Sequence, residues 1–348
     1  MRVAMLAPIA WRTPPRHYGP WEEVTSLLTE ALVARGIDVT LFATADSLTA
    51  GRLEAAVASG YSETPGADAK LCEYRHLAHL FAHADRFDLI HNQADFPAHA
   101  FAPLIEAPMV TTIHGFSSER ILPMYEPYND RVHFVAISDA NRHPALRYAA
   151  TIHHGIDLER FRFREEPGER LLFFGRIHPD KGTAEAIALA QATDLGLDIY
   201  GIVQDSDYFD QAVAPHIDGA QIRFHGPAGG LEREQALAGA KALVHLINFD
   251  EPFGLSVIEA MACGTPTIAI RRGSMPEIID HRATGILVDD VAEAITAMGA
   301  LFAIDRRAVR HCAERRFSAE RMAAAYVRLY TDILAGRLKL AAGDLHAE

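Results

Sequence analysis

The chain has 348 residues, 49% of them hydrophobic, and a formal net charge of −13. Such a length exceeds one ordinary hydrophobic core, so two domains are expected, and the negative charge argues against nucleic acid as the main partner. Three scattered cysteines, Cys72, Cys263 and Cys312, form no metal-type pair and fit a reduced, cytoplasmic setting.

The opening MRVAMLAPIAW has a short apolar run broken by Pro8 and no small-residue cleavage site, so no leader is expected. No run approaches the ~20 apolar residues of a membrane span, while peripheral membrane contact stays open. Val3 to Ala7 reads as a buried parallel strand. A loop of Pro, Arg and aromatic residues follows, from Pro8 to Tyr18. Gly19 and Pro20 begin a helix in which Val24, Leu27, Leu28, Ala31 and Leu32 share one face; Gly36 ends it, and Ile37 to Ala43 is the next strand. A strand–loop–helix–strand unit predicts a parallel pair with a right-handed crossover. Ligands gather at the carboxyl ends of such strands, which places Gly19 and the first helical turn where a phosphate or sugar could meet N–H groups. A simple tight turn is the alternative, and the chain has neither a GxGxxG sequence nor a P-loop there.

Further strands are expected at Phe87 to His91, Pro108 to Ile113, Val132 to Ile137 and Ala150 to His153. His76, His79 and His83 fall on one helix face. A solvated face is preferred to a metal site, because no carboxylate or cysteine completes a recognisable ligand set. His114 stands in TIHG directly after a strand, at the carboxyl edge of the sheet, with Ser138 at the corresponding end of the following strand. Asp157 to Glu169 mixes charges, two Phe and a Pro, and reads as an interdomain linker.

A second α/β series then begins: Leu171 to Phe174, a helix near Thr183 to Thr193, Leu197 to Val203, Ile222 to His225, Ala242 to Ile247 and Thr267 to Ile270. After its first strand comes GRIHPDKG, where Gly175 permits close approach of a ligand. Arg176 and Lys181 bring two cations to one strand end, suited to a diphosphate; a solvated basic loop is the alternative. The stretches GSMPEII and TGILVDD precede helices that run to about Arg316. Phe317 to Leu334 is a final amphipathic helix, and the tail from Gly336 is expected to be frayed.

The densest chemistry lies in EPFGLSVIEAMACGTPTIAI, Glu251 to Ile270. Glu251 precedes Pro252 and is pushed toward extended backbone. Ser256 and Glu259 read as a capping box opening a helix through Ala262, which Gly264 closes and Pro266 keeps from resuming. The N–H groups around Phe253 to Val257 would then project from a helix N-terminus, where anions and hydroxyl oxygens bind.

Taken together, EPFGLSVIE with its E-x7-E frame, AMACGTPTIA, GSMPEII, TGILV, GRIHPDKG, HHGID, TIHG and YGPWEEV through LFATADS resemble the family 4 retaining glycosyltransferases of GT-B fold, the glycogen-synthase-like group. The resemblance covers nearly the whole chain. It implies an α/β protein with two Rossmann-like doubly wound domains facing across a cleft. The first, 1–160, would face the acceptor and receive the last helix, 317–335; the second, 168–316, would hold the donor. By motif position, Glu251 would contact the donor sugar hydroxyls, Glu259 the ribose hydroxyls, and the amides of Phe253, Gly254 and Leu255 the sugar and phosphate. Arg176 and Lys181, with Gly175 beside them, would hold the diphosphate, His114 would lie beside the reacting sugar, and Gly19 near phosphate and acceptor. Two departures stand out: Gly19-Pro20 replaces a common glycine pair, and His154-Gly155-Ile156-Asp157 replaces N-G-[IV]-D.

The expected reaction is metal-independent, cofactor-free hexosyl transfer with retention, from a UDP-glucose or GDP-mannose type donor to a sugar, lipid or small-molecule acceptor. The loop from Trp11 to Trp21 is the expected specificity element. A sugar phosphorylase is disfavoured by the short chain and the lack of a cofactor-lysine motif. A nucleotide-sugar epimerase and a non-catalytic sugar-nucleotide sensor remain as alternatives.

Overall fold

Short, almost wholly buried apolar strands alternate with one-sided helices, a pattern that forces helices onto both faces of a parallel sheet. The computed structural model describes residues 1–115, 119–338 and 340. It divides into two units, residues 1–155 with 319–348, and 156–318. In chain order the first contains β1 (Arg2–Leu6), α1 (Pro20–Ala34), β2 (Asp38–Phe42), β3 (Arg52–Glu54), α2 (Ala69–Phe81), β4 (Leu89–Asn92), β5 (Met109–Ile113), β6 (Val132–Ala136) and β7 (Tyr148–Thr151). The second contains β8 (Leu171–Phe174), α3 (Thr183–Ala192), β9 (Leu197–Tyr200), α4 (Ser206–Tyr208), β10 (Ile222–Gly226) and α5 (Gly230–Gly239). It continues with β11 (Ala242–His245), α6 (Leu255–Ala262), β12 (Thr267–Ile270), α7 (Met275–Ile278), β13 (Gly285–Val288), α8 (Val291–Phe302) and α9 (Arg306–Arg316). The last helix, α10 (Ala319–Leu334), returns to the first unit.

All pairings in both sheets are parallel: β3-β2-β1-β4-β5-β6-β7 in the first unit and β10-β9-β8-β11-β12-β13 in the second. The α/β, doubly wound architecture expected from the sequence is therefore the one observed in each unit. Ala4, Leu6, Phe42, Leu77, Leu80 and Ile90 fill one core of the first unit, and Leu171, Ile187, Ile199, Val244, Ile268 and Val288 lie in the core of the second. The sequence reading missed β3, three residues with charged ends at the sheet edge, and did not assign β13.

Segment 157–169 is no free linker. Phe161 is buried, the Arg164 N–H donates to the Cys263 carbonyl at 3.1 Å, and Arg160 pairs with Glu234 at 2.9 Å. Phe163 lies beside Gly264, where a Cβ would meet its ring at 2.7 Å, so both phenylalanines pack on the second unit. The His76–His83 face also differs from the expected solvated one. His76 is buried, its Nε2 3.0 Å from the Ala7 carbonyl, and burial pushes its pKa down to about 4. His79 and His83 meet a carboxylate, Glu54 of β3.

On α10, Met322, Ala323, Tyr326, Leu329, Tyr330 and Ile333 form the buried face. Phe317, expected to start that helix, instead stays in the second unit, edge-on to Phe253. Of the tail expected to fray from Gly336, residues 339 and 341–348 lie outside the described ones. Among the described residues no helix is long and apolar enough to cross a membrane.

Candidate functional site

In the second unit the chain leaves β8 toward β9 on one side, whereas β11 lies on β8's other side. Loops at such a reversal diverge and leave a crevice at the strands' carboxyl ends. Here the loops after β8 and β11 are fastened together. The Asn248 N–H donates to the Asp180 carbonyl at 2.7 Å, and Asn248 Nδ2 donates to the Pro179 carbonyl at 3.1 Å. Gly182 turns at φ +72°, and a Cβ there would fall on the Leu246 carbonyl oxygen, so only glycine permits this approach.

The result is a contact between two predicted site residues 70 positions apart. Lys181 Nζ donates to Glu251 Oε2 at 2.6 Å, with the two side chains 15% and 12% exposed. The ammonium also lies 4.3 Å from the centroid of the Phe249 ring, so it is partly held by the aromatic face. His245 Nε2 is 3.7 Å from the same carboxylate oxygen. Burial brings the His245 pKa down to about 4; Glu251 opposes the shift and Lys181 adds to it, which leaves the imidazole neutral.

Glu251 is held from behind by the GSMPEII stretch. Ser274 N–H donates to the Glu251 carbonyl at 2.9 Å, and Ser274 Oγ donates to the Phe253 carbonyl at 2.7 Å. α6 then begins at Gly254, the N-cap, with φ +92° and no side-chain capping bond. A Cβ at Gly254 would meet Met275 Cε at 2.6 Å. The first amides of α6, Leu255 and Ser256, occupy the helix end where N–H groups have no intrahelical acceptor and the helix dipole is positive.

The expected Ser256–Glu259 capping box is not formed. Glu259 is buried and its carboxylate is gripped by Arg233 of α5, whose Nη2 lies 2.6 Å from Oε1 and also donates to Oε2. A buried carboxylate gains more from a guanidinium than from a single backbone amide. Arg233 also covers the Phe174 ring at 5.3 Å. The helix end follows the expectation: Gly264 N–H bonds the Met261 carbonyl at 2.9 Å and Thr265 N–H the Ala260 carbonyl at 2.8 Å, a Schellman closure.

Arg176 donates through Nη1 to Gln204 Oε1 in the loop after β9, so the second predicted cation is engaged away from Glu251. Gly175 is under no packing demand; a Cβ there would lie 3.7 Å from the Phe173 ring.

The other two predicted residues are in the first unit. His114, after β5, is buried and stacks on Trp21 of α1 with centroids 5.1 Å apart and planes 20° apart. Gly19 stands two residues before Trp21, and a Cβ on it would meet Glu22 Oε2 at 2.9 Å. His114 Nε2 lies 2.6 Å from Gln93 Oε1, an acceptor, so that nitrogen carries the proton, while Nδ1 lies 3.3 Å from His154 Nε2. Gln93 Nε2 reaches His91 Nε2 at 3.1 Å, and His91 Nδ1 reaches the Tyr330 hydroxyl of α10 at 2.6 Å. Thr112 Oγ1 joins His91 at 2.8 Å and the Tyr326 hydroxyl at 2.7 Å. Burial lowers the pKa of both His91 and His114 to about 3, so the network is built from neutral rings.

Two family descriptions match adjoining stretches of the chain: "Glycosyltransferase Family 4" over residues 22–160 and "Glycosyl transferases group 1" over residues 156–315. The chain belongs to the family 4 glycosyltransferases. Among curated relatives, D-inositol 3-phosphate glycosyltransferase of Saccharomonospora viridis is 31% identical over 223 residues, covering 53% of this chain and 50% of that one. Glycogen synthase of Mycobacterium tuberculosis is 28% identical over 344 residues, 82% of each. Against the first of these relatives the match thus spans about half the relative's length. Among solved structures, sucrose-phosphate synthase of Thermosynechococcus elongatus superposes with a TM-score of 0.79 at 20% identity, over 97% of this chain and 100% of that one, a likeness of GT-B fold.

Within this family 4 chain, sequence reasoning missed Arg233, His245 and Gln93. Gln93 directly follows β4, so the strand-end rule that singled out His114 would have reached it too. Arg233 carries no local signal at all; only the fold brings it to Glu259.

Proposed function

We propose that the chain transfers a hexosyl group from a nucleoside-diphosphate sugar of the UDP-glucose or GDP-mannose type to a hydroxyl acceptor, with retention and without a metal. The observation that carries this reading is the Lys181–Glu251 contact at the sheet's reversal point, beside the uncapped start of α6. A phosphate leaving group needs fixed positive charge where its own charge develops. Lys181, Arg176 and the amide of Leu255 at the start of α6, with those of Phe253 and Gly254 before it, supply it. In this reading Lys181 moves its hydrogen bond from Glu251 to the diphosphate when donor binds. Glu251 is then free to accept from the sugar hydroxyls, and Glu259, presented by Arg233, takes the ribose. Gly175, without a side chain, would let the diphosphate approach the backbone.

The C1–O bond to phosphate breaks with its electron pair passing to the leaving diphosphate. The acceptor oxygen forms the new bond from the same face, and its proton goes to the departing phosphate oxygen. His114, with Nε2–H given to Gln93 Oε1 and Nδ1 against His154 Nε2, would have to exchange one of these bonds to serve the reacting sugar; Gly19 and the Trp11–Trp21 loop would serve the acceptor. The family membership supports the reaction class, and the names of the curated relatives are compatible with either donor sugar.

The test is nucleoside-diphosphate release from UDP-glucose and GDP-mannose, with and without a panel of sugar, lipid and small polyol acceptors, in the presence and absence of EDTA. Acceptor-dependent release with an α-linked product by NMR is expected, unchanged by EDTA. Donor binding without turnover under every acceptor would instead indicate a sensor, and an isomerised free donor an epimerase.

A further inference from the structure

Away from the proposed donor site, the end of α2 and the edge strand β3 bring together a set of side chains that sugar transfer does not use. One ligand atom from each of Glu54, His79 and His83 lies within 4.8 Å of the other two, and all three residues are half-buried. We propose that these residues form a binding site for a divalent transition metal of Zn²⁺ type, with two imidazoles, one carboxylate and an open position for water.

Four features carry the assignment. His79 in the last turn of α2 and His83, two residues beyond its end, bring their rings to 5.3 Å between centroids, close enough to share an ion. His83 Nδ1 donates to the His79 carbonyl at 2.8 Å. That bond puts the proton on Nδ1 and leaves the Nε2 lone pair bare, the arrangement in which metal-ligating histidines are held. Glu54 Oε1 is held by Arg86 Nη2 at 2.6 Å, which orients the carboxylate and leaves Oε2 toward His79. Lastly, His79 Nε2 and Glu54 Oε2 are already 3.2 Å apart. Ligands around a tetrahedral ion at 2.0–2.2 Å stand about 3.4 Å apart, so this edge of the polyhedron needs almost no adjustment.

A plain ion pair between His79 and Glu54 would satisfy that distance alone; it would not call for His83 to offer the same atom set a second imidazole. Nitrogen and carboxylate donors of this kind suit Zn²⁺, with Ni²⁺ and Co²⁺ as substitutes, over the all-oxygen shells of Mg²⁺ or Ca²⁺. Occupation would tie β3, an edge strand of three residues, to the end of α2.

The test uses the full chain, stripped with a chelator and titrated with ZnCl₂ alone by calorimetry. One equivalent is expected to bind. His83→Gln and Glu54→Gln should each weaken it at least ~100-fold, beyond the usual loss from outer-shell changes, while far-UV circular dichroism stays that of the wild type. X-ray absorption on the Zn²⁺-loaded wild type needs no variant and should show two imidazoles. Absence of stoichiometric binding, unchanged affinity in both variants, or fewer than two imidazoles at the metal would each overturn the proposal. Donor turnover is expected to survive metal removal, so failure here and failure of the transferase reading are separate results.

Discussion

Glu22, in the first turn of α1, is the carboxyl group whose titration should be visible in the stability of the first unit. Burial raises its pKa from 4.5 to about 7, against the opposing pull of its own amide and that of Trp11, whose N–H donates to Oε1 at 3.3 Å; Glu63 adds to the rise. The folded value lies above the unfolded one, so the native state keeps a proton that the unfolded chain has lost. Stability from this group is complete below pH 4.5, falls as pH climbs to about 7, and levels off above it. Two and a half pH units at 1.36 kcal/mol each amount to about 3 kcal/mol. Glu22→Gln removes the titration while keeping an oxygen for the Trp11 N–H. Both tryptophans of the chain, Trp11 and Trp21, lie in this unit, so urea unfolding followed by their fluorescence reports on it alone. The variant should match the wild type near pH 4.5 and exceed it by about 3 kcal/mol at pH 8.5. Equal pH dependence in the two proteins, or a less stable variant at pH 8.5, would refute the reasoning.

Two further outcomes follow from the second unit. In a double-mutant cycle of Lys181→Met and Glu251→Gln, urea unfolding followed by circular dichroism should give a coupling of about 2 kcal/mol, between an exposed pair and a fully buried one; both single variants should lose donor turnover. A coupling below ~0.5 kcal/mol would mean that the pair behaves as a surface contact. Gly182→Ala should cost about 3 kcal/mol or more in the same assay, because left-handed strain adds to a collision with the Leu246 carbonyl. Gly175→Ala, where a Cβ makes only an ordinary contact with the Phe173 ring, should cost under ~1 kcal/mol yet weaken donor binding measured by calorimetry, and equal destabilisation by the two would contradict the geometry.

How much of this was readable beforehand depends on the range of the interactions involved. Leu171–Phe174 and Thr267–Ile270 were placed to the residue because an apolar run bounded by breakers is a local signal. β3 escaped because RLE has no apolar run and pairs only along one side, with β2. Segment 157–169 was misread for the opposite reason: its composition is that of a loop, while Glu234 and Cys263, the partners of Arg160 and Arg164, come from distant parts of the second unit. Lys181 and Glu251 could each be named from the sequence, but their contact depends on Asn248 joining two loops. Glu259 shows the limit most clearly. Its spacing from Ser256 matched a capping box, and a guanidinium 26 residues away took the carboxylate instead.

The hydrogen-bonded chain from Tyr326 and Tyr330 to His114 has a consequence for how the protein is made. Chains are synthesised from the amino end, and units tend to fold as they emerge. The strands of the first unit are translated first, but α10 follows the entire second unit. Until those tyrosines arrive, His91 and Thr112 lack the hydroxyls that satisfy them, and α1 lacks the helix it packs against. The second unit, contiguous from 156 to 318, has no such wait. Order of translation and order of completion are therefore reversed: the half begun first is finished last, and the surroundings of His114 become fixed only once α10 has left the ribosome.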